Sequence, residues 1–205
     1  MKATPYTALR EQILFVNIGK EAEAFFNWRN PNAKLTFNQI DVVNTRNYSG
    51  DLSYFIHLKK QDYKLVFRNM CPPLSGSTGL IFIVGATLEC QFQVMEAFLE
   101  YLAQQWFDIY DATYLQTSSF GEIFDGFEIV VDDAFSDVPN DFLMMVQSHC
   151  KACGKLYDIY VRKSLIEHAE SYPAALVFEH ADHALLLYID EQYNARGESA
   201  VDISG

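Results

Sequence analysis

Short apolar runs separated by polar turns organise the first seventy residues of the chain. Residues 12–29 contain two β-prone runs on either side of Gly19, which can adopt the positive φ of a tight turn, so they predict a β-hairpin. Residues 52–70 repeat the arrangement around a polar turn and predict a second hairpin. Between them, residues 33–50 fit neither a helical nor a strand period well. We interpret that segment as a weak helix or an irregular crossover.

A helical pattern follows the second hairpin. The apolar run at 80–84 (LIFIV) is typical of a buried strand. Beyond it, apolar residues recur at helical spacing as far as Tyr110, and Thr87 is positioned to cap the first turn of that helix. A second helix is predicted over 122–135, and the sequence DVPN at 137–140 is typical of a domain boundary.

The rest of the chain has a different pattern and predicts a small β-rich module. A short helix is predicted over 163–171, two strands over 175–190, and a last strand after Arg196. We therefore expect two domains, 1–140 and 141–205.

The order of hairpin, crossover, hairpin, strand, long helix and second helix resembles the longin domain of longin-type SNAREs, adaptor-complex small chains and the signal-recognition-particle receptor α subunit. Residues 80–85 (LIFIVG) and 94–102 (VMEAFLEYL) look like the last strand and long helix of that family. Residues 111–114 and 120–127 look like its final helix and the link before it. Over residues 10–136 the resemblance implies an α+β fold with an antiparallel sheet sandwiched by helices. The same apolar stripes would also suit the core of another α+β domain.

Two short motifs in the C-terminal module predict a metal site. Cys150 and Cys153 form a Cys-x-x-Cys pair, and Gly154 allows the backbone to turn beneath an ion held by both thiolates. His180 and His183 supply a second pair at the end of a predicted strand. Together the four side chains would make a Cys₂His₂ zinc site of structural type.

The module also resembles a C-terminal module of uncharacterised archaeal proteins that carry longin- or roadblock-type domains. The matching features are the two ligand pairs, the strand end at 188–190 (YID) and the Arg-Gly pair at 196–197. Histidine at position 180 departs from that pattern, where cysteine is more usual, and His149 and His168 are spare ligands.

A redox pair and a metal-free turn are the alternatives for the Cys-x-x-Cys motif. The Asp190 and Arg196 side chains are expected to stabilise a turn.

Charge is distributed unevenly over the 205 residues, half of which are apolar. The formal net charge is −12, which argues against a nucleic-acid-binding protein. Residues 1–68 carry a net charge of +4, whereas residues 69–150 hold 12 acidic residues and no lysine or arginine. The acidic block covers both predicted long helices. We therefore expect an acidic helical face, including Glu96, Glu100 and Asp108, that would bind a basic partner surface.

These features predict a non-enzymatic interaction protein. The longin resemblance implies a small GTPase or another trafficking-type protein as partner, and a homo-oligomer is compatible with it. No nucleotide-binding, metalloprotease or serine-hydrolase motif occurs. The alternative is a zinc-dependent hydrolase with Cys150, Cys153 and one histidine as ligands, an open fourth position, and Glu179 or Asp182 as base.

The same sequence predicts a cytoplasmic location. No apolar core of signal-peptide type follows Met1, and the longest apolar run, at 79–88, is too short for a membrane span.

Overall fold

The computed structural model describes most of the chain. The described residues are 5–20, 23–33, 39–48, 53–71, 79–110, 121–180 and 183–202. The chain divides into two units, Met1–Pro139 and Asn140–Gly205. The division falls within the DVPN segment.

The first unit combines α-helices with an antiparallel sheet. In chain order its described elements are α1 (Pro5–Gln12), β1 (Ile13–Lys20), β2 (Glu23–Arg29), α2 (Gln39–Arg46), β3 (Ile56–Lys59), β4 (Lys64–Met70), β5 (Leu80–Ala86), α3 (Phe92–Ile109), a 3₁₀ helix (Gly121–Phe127) and α4 (Glu128–Asp137). A π-helical turn, Val138–Phe142, follows α4.

All neighbouring strands of the five-stranded sheet run antiparallel, in the order β2-β1-β5-β4-β3. Both predicted hairpins are confirmed as the pairs β1–β2 and β3–β4. Every residue of the central strand β5 is buried, which explains its unbroken apolar sequence.

Both faces of β5 carry apolar side chains that are buried. Ile83 belongs to a core cluster that includes Val42 of α2, whereas Phe82 contacts the ring of Trp106 on α3. Because successive strand residues point to opposite faces, the two contacts lie on opposite sides of the sheet. On the Trp106 side, aromatic residues of α3, α4 and the 3₁₀ helix pack against Phe26 and Trp28 of β2.

Two local expectations are wrong. Gly19 does not form a positive-φ turn: it lies within β1 at a register shift, where a Cβ atom would come within 2.3 Å of the Glu23 carbonyl oxygen. Thr87 does not cap α3, because the helix begins at Phe92 after Gln91. The ambiguous segment 33–50 contains the short helix α2.

Gly85 of β5 is required for close packing. A Cβ atom there would lie 2.1 Å from the ring of Phe15, which is itself buried in β1. Since the buried ring would have to move away from β5, we expect Gly85→Ala to lower the free energy of unfolding by about 1–3 kcal/mol. Chemical denaturation measures the change.

Gly126 provides the matched control for this substitution. A Cβ atom at Gly126 meets no heavy atom within 4 Å, so Gly126→Ala should leave stability within about 0.5 kcal/mol of the wild type. Equal effects of the two substitutions would contradict the packing argument.

The second unit is built mainly from strands. Its described elements are β6 (Leu143–His149), β7 (Leu156–Arg162), α5 (Lys163–Glu167), β8 (Ala174–His180), β9 (His183–Ile189) and β10 (Ala195–Asp202). Strands β6 and β7 form a hairpin, and the other three form an antiparallel sheet in the order β10-β9-β8. One apolar cluster joins residues of both sheets: Val146, Cys150, Ile159, Val161, Ile166, Leu176, Leu185, Leu187 and Ile189.

The turn between β9 and β10 confirms the expected role of Asp190. Its carboxylate accepts hydrogen bonds from the backbone N–H groups of Gln192 and Asn194, and Arg196 Nε lies 2.5 Å from Asp190 Oδ2. Desolvation raises the pKa of Asp190, but hydrogen bonds from Asn194 and Arg196 outweigh it and hold the pKa below its ordinary value. The side chain therefore stays ionised at neutral pH and stabilises the turn.

Within the described part of the chain, no helix is long and apolar enough to cross a lipid bilayer.

Candidate metal centre

A tight turn between β6 and β7 presents the two cysteines. The Cys150 N–H donates to the Lys155 carbonyl oxygen at 2.8 Å, and the Gly154 N–H donates to the Cys150 carbonyl oxygen at 2.8 Å. Gly154 has a φ of 70°, a left-handed conformation that glycine adopts without steric cost. The expected turn at Gly154 is therefore confirmed.

The third donor comes from β8 in the three-stranded sheet. The Sγ atoms of Cys150 and Cys153 and a ring nitrogen of His180 all lie within 4.8 Å of one another. Cys150 is buried in the apolar cluster, His180 is half-buried, and Cys153 is exposed. Three donors from two sheets thus lie close enough to bind one metal ion.

The other predicted ligands have different positions. The backbone of His183 pairs directly with that of His180 in the β8–β9 hairpin, but the His183 side chain lies outside the described part of the structure. His149 and His168 are exposed and do not belong to the group that the structure brings together. His168 Nδ1 lies 2.9 Å from the Ser164 carbonyl oxygen.

Tyr157 of β7 was not predicted from the sequence and contacts two of the three donor residues. Its hydroxyl oxygen lies 3.4 Å from Cys153 Sγ, and its ring centroid lies 4.3 Å from that of His180. A hydroxyl beside a thiolate can donate a hydrogen bond that orients the ligand. The one sequence signal is its location on the strand that leaves the Cys-x-x-Cys turn.

The donor set indicates which ions would bind. Thiolate and imidazole ligands suit zinc, which takes tetrahedral sulfur and nitrogen coordination, better than they suit magnesium or calcium. The strand β7, not a helix, follows the cysteines, so they lack the helix N-terminus that lowers a thiol pKa in redox pairs.

The remaining cysteines lie in the first unit. Cys71 is exposed, whereas Cys90 is fully buried. Burial raises the pKa of the Cys90 thiol to about 12, despite the opposing effect of Lys64. Cys90 therefore stays a neutral thiol at physiological pH.

The predicted acidic face of α3 needs one correction. Glu96 is 3% exposed, so it is not part of an exposed surface. His57 Nε2 of β3 lies 2.6 Å from Glu96 Oε1, and the Gln93 amide donates to Glu96 Oε2 at 3.2 Å. Glu100 is half-buried and Asp108 is exposed, and their role in partner binding stays a prediction.

Breaking the contact between His57 and Glu96 should destabilise the first unit. His57→Ala leaves a buried carboxylate without the imidazole and also removes a ring stacked at 4.3 Å on Phe92. The imidazole is partly exposed, so we expect a loss of about 1–3 kcal/mol in the free energy of unfolding. Urea denaturation of both single variants and the double variant with Glu96→Gln measures the coupling.

Lys59→Ala, at an exposed position of the same strand, controls for changes in β3 itself. Additive effects of His57→Ala and Glu96→Gln would contradict a direct interaction.

The hydrolase alternative predicts Glu179 or Asp182 as the catalytic base. Glu179 is exposed and lies next to His180 on β8, and Asp182 lies outside the described residues.

No protein-family model matches the chain, and a search of curated proteins also gives no match. Function is therefore inferred from the site itself.

Proposed function

We propose that the second unit is a structural zinc module and that the chain is a non-enzymatic protein-interaction protein. The observation that carries the proposal is the convergence of Cys150, Cys153 and His180 donor atoms within 4.8 Å. Two thiolates and one imidazole satisfy three of the four positions of a tetrahedral zinc ion. Zinc would join the β6–β7 turn to the end of β8 and so connect two small sheets.

His183 is the proposed fourth ligand. Its backbone lies opposite that of His180 across a two-residue hairpin connection, so the two residues are nearest neighbours along the sheet. A closed site with four protein ligands stabilises a fold and does not activate water.

The proposed partner class follows from the longin resemblance of the first unit. Two hairpins, a crossover helix, a fifth strand and two further helices occur in the expected order, and apolar side chains on both faces of β5 pack against helices. This arrangement supports a longin-like platform that binds a small GTPase or another trafficking-type protein in the cytoplasm.

Metal analysis of the purified chain tests the zinc centre. We expect about one zinc per chain by elemental analysis, and thiolate-to-metal charge-transfer absorption after replacement by cobalt(II). Cys153→Ser should lose both signals. Cys71→Ser, an exposed cysteine in the other unit, should retain them. A metal-free wild type, or Cys153→Ser with full zinc content, would overturn the proposal.

The three described donors and the exposed Cys153 also permit the hydrolase alternative, in which the fourth position of the zinc ion is open. The variant His183→Gln distinguishes that open site from a closed site with four protein ligands. A fall of about tenfold or more in zinc affinity supports a fourth protein ligand. Unchanged affinity, together with hydrolysis of a chromogenic ester that stops on chelation, would support an open catalytic site.

Partner binding is tested with small GTPases loaded with GDP or a GTP analogue. We expect retention on immobilised protein and weaker retention by the double variant Glu100→Gln, Asp108→Asn. Glu128→Gln removes an exposed charge from α4 and is the control. Failure of every small GTPase to bind would remove the trafficking proposal without affecting the zinc centre.

A further inference from the structure

A cavity in the first unit combines basic and amide side chains. It has a volume of about 270 Å³ and lies between α2 and the strands β1 and β2. Its polar walls are formed by Asn17, Asn27, Arg29 and Arg46. An engineered apolar cavity of about 150 Å³ holds a benzene molecule, so this cavity has room for a ring-sized body with a charged group.

The cavity is lined by buried polar groups that are connected by hydrogen bonds. Arg46 is 6% exposed and Asn17 is 2% exposed. Arg46 donates to Asn17 Oδ1 at 3.2 Å, and the Asn17 amide nitrogen donates to Asn27 Oδ1. The network thus runs from a buried guanidinium on α2, through β1, to an exposed amide on β2.

The glycine at position 19 contributes to this arrangement. A Cβ atom there would lie 3.2 Å from the terminal nitrogen of Arg46, in addition to its clash with the backbone at Glu23. The absence of a side chain leaves space for the guanidinium beside β1. Gly19, which lies within β1, therefore leaves room for a buried cation.

The charge of the cavity is opposite to that of the whole protein. Its described lining contains two arginines and no acidic side chain, whereas the chain carries a net charge of −12. Desolvation by burial lowers the pKa of Arg46, but a guanidinium titrates so high that it stays charged. At a desolvated cation the attraction to an anion is screened less than in water.

Apolar residues complete the walls. Val42 and Val43 of α2 and Phe15 of β1 line the cavity together with the polar group, and Phe15 and Val42 belong to one apolar cluster. Ligand sites usually combine an apolar wall with a few polar groups that fix orientation. The planar guanidinium, with several N–H donors, matches the oxygen atoms of a carboxylate or phosphate group.

We propose that this cavity binds a small organic oxyanion, a carboxylate or phosphate monoester with an apolar body. Arg46 and Arg29 attract the oxyanion, the asparagine amides orient it, and Phe15 and the valines contact its apolar part. The site is independent of the zinc centre and of the partner proposed above.

Three probes with similar rings test this site in the full chain: benzoate, phenyl phosphate and neutral benzyl alcohol. Calorimetric titration at constant ionic strength should give saturable binding of benzoate or phenyl phosphate, with a dissociation constant of about 1 mM or lower. Binding of one anion but not the other identifies the oxyanion. Benzyl alcohol should bind at least about tenfold more weakly.

Variants at exposed cavity positions avoid the risk of unfolding. Asn27 and Arg29 are both exposed, so Asn27→Asp and Arg29→Gln should fold normally and weaken anion binding by about fivefold or more. Arg68→Gln, an arginine of β4 that does not line the cavity, should bind as the wild type does. Absence of saturable anion binding overturns the proposal. The proposal is also overturned if benzyl alcohol binds as tightly as the anions, or if Arg68→Gln weakens anion binding as much as Arg29→Gln does.

Discussion

Chelation of zinc is expected to unfold the second unit and leave the first unit folded. Structural zinc contributes about 10–16 kcal/mol of apparent binding free energy in small zinc domains, which exceeds the usual stability of a domain this small. The apolar cluster of the unit is limited to nine buried residues among those described, and Cys150 is one of them. Loss of the ion would therefore remove the connection between the β6–β7 turn and the end of β8. A core of this size is too small to replace that connection.

Thermal unfolding followed by circular dichroism, with and without a strong chelator, measures this effect. Cys153→Ser is the more informative variant, because Cys153 is exposed and lies outside the apolar cluster, whereas Cys150 also fills space in the core. We expect two transitions with zinc bound and early loss of one transition on chelation or in Cys153→Ser. Cys71→Ser should behave as the wild type. Identical melting curves with and without chelator would contradict a structural role for zinc.

Trp106→Ala is expected to destabilise the first unit by about 3–5 kcal/mol. Trp106 of α3 is fully buried and is surrounded by aromatic rings. Its nearest ring centroids are those of Tyr110 at 4.7 Å and of Phe124 and Phe127 at 4.9 Å, with Phe26 and Phe82 at 6.3 Å. The substitution removes contacts with Tyr110 at the end of α3, with the 3₁₀ helix and with two strands at once, and the surrounding rings cannot all move inward to fill the space.

Chemical denaturation followed by far-ultraviolet circular dichroism measures this loss. Ile109→Ala is the matched control, since Ile109 lies on the same helix and is 51% exposed. Its effect should stay within about 0.5 kcal/mol of the wild type. A change below about 1 kcal/mol for Trp106→Ala would mean that the aromatic cluster is not a continuous core.

Local sequence patterns predicted the strands well because strand formation depends largely on residues that are close together in the chain. The strand β5 is an unbroken apolar run because it is buried on both faces, and a polar turn separates the two strands of the second hairpin. The Cys-x-x-Cys turn was also readable, because Gly154 supplies the left-handed conformation that the turn requires. The start of α3 was predicted too early, since Thr87 is a good cap in isolation but the helix begins at Phe92.

Long-range pairings could not be read in the same way. Glu96 was assigned to an exposed acidic face because a charged residue usually lies in water, yet its side chain is buried and contacts the partly exposed His57, 39 positions earlier. Tyr157 and the cavity around Arg46 depend likewise on strands and helices that meet only in the fold.

The sequence by itself determined the hairpins, the buried strand, the cysteine turn and the uneven distribution of charge, since each depends on residues close together in the chain. Only the tertiary structure decided which donors meet at the candidate metal centre. The same is true of the buried carboxylate at Glu96 and of the buried guanidinium at Arg46 beside a glycine of β1. Burial and proximity across many residues depend on how elements pack, and a one-dimensional pattern of polar and apolar residues does not contain that information.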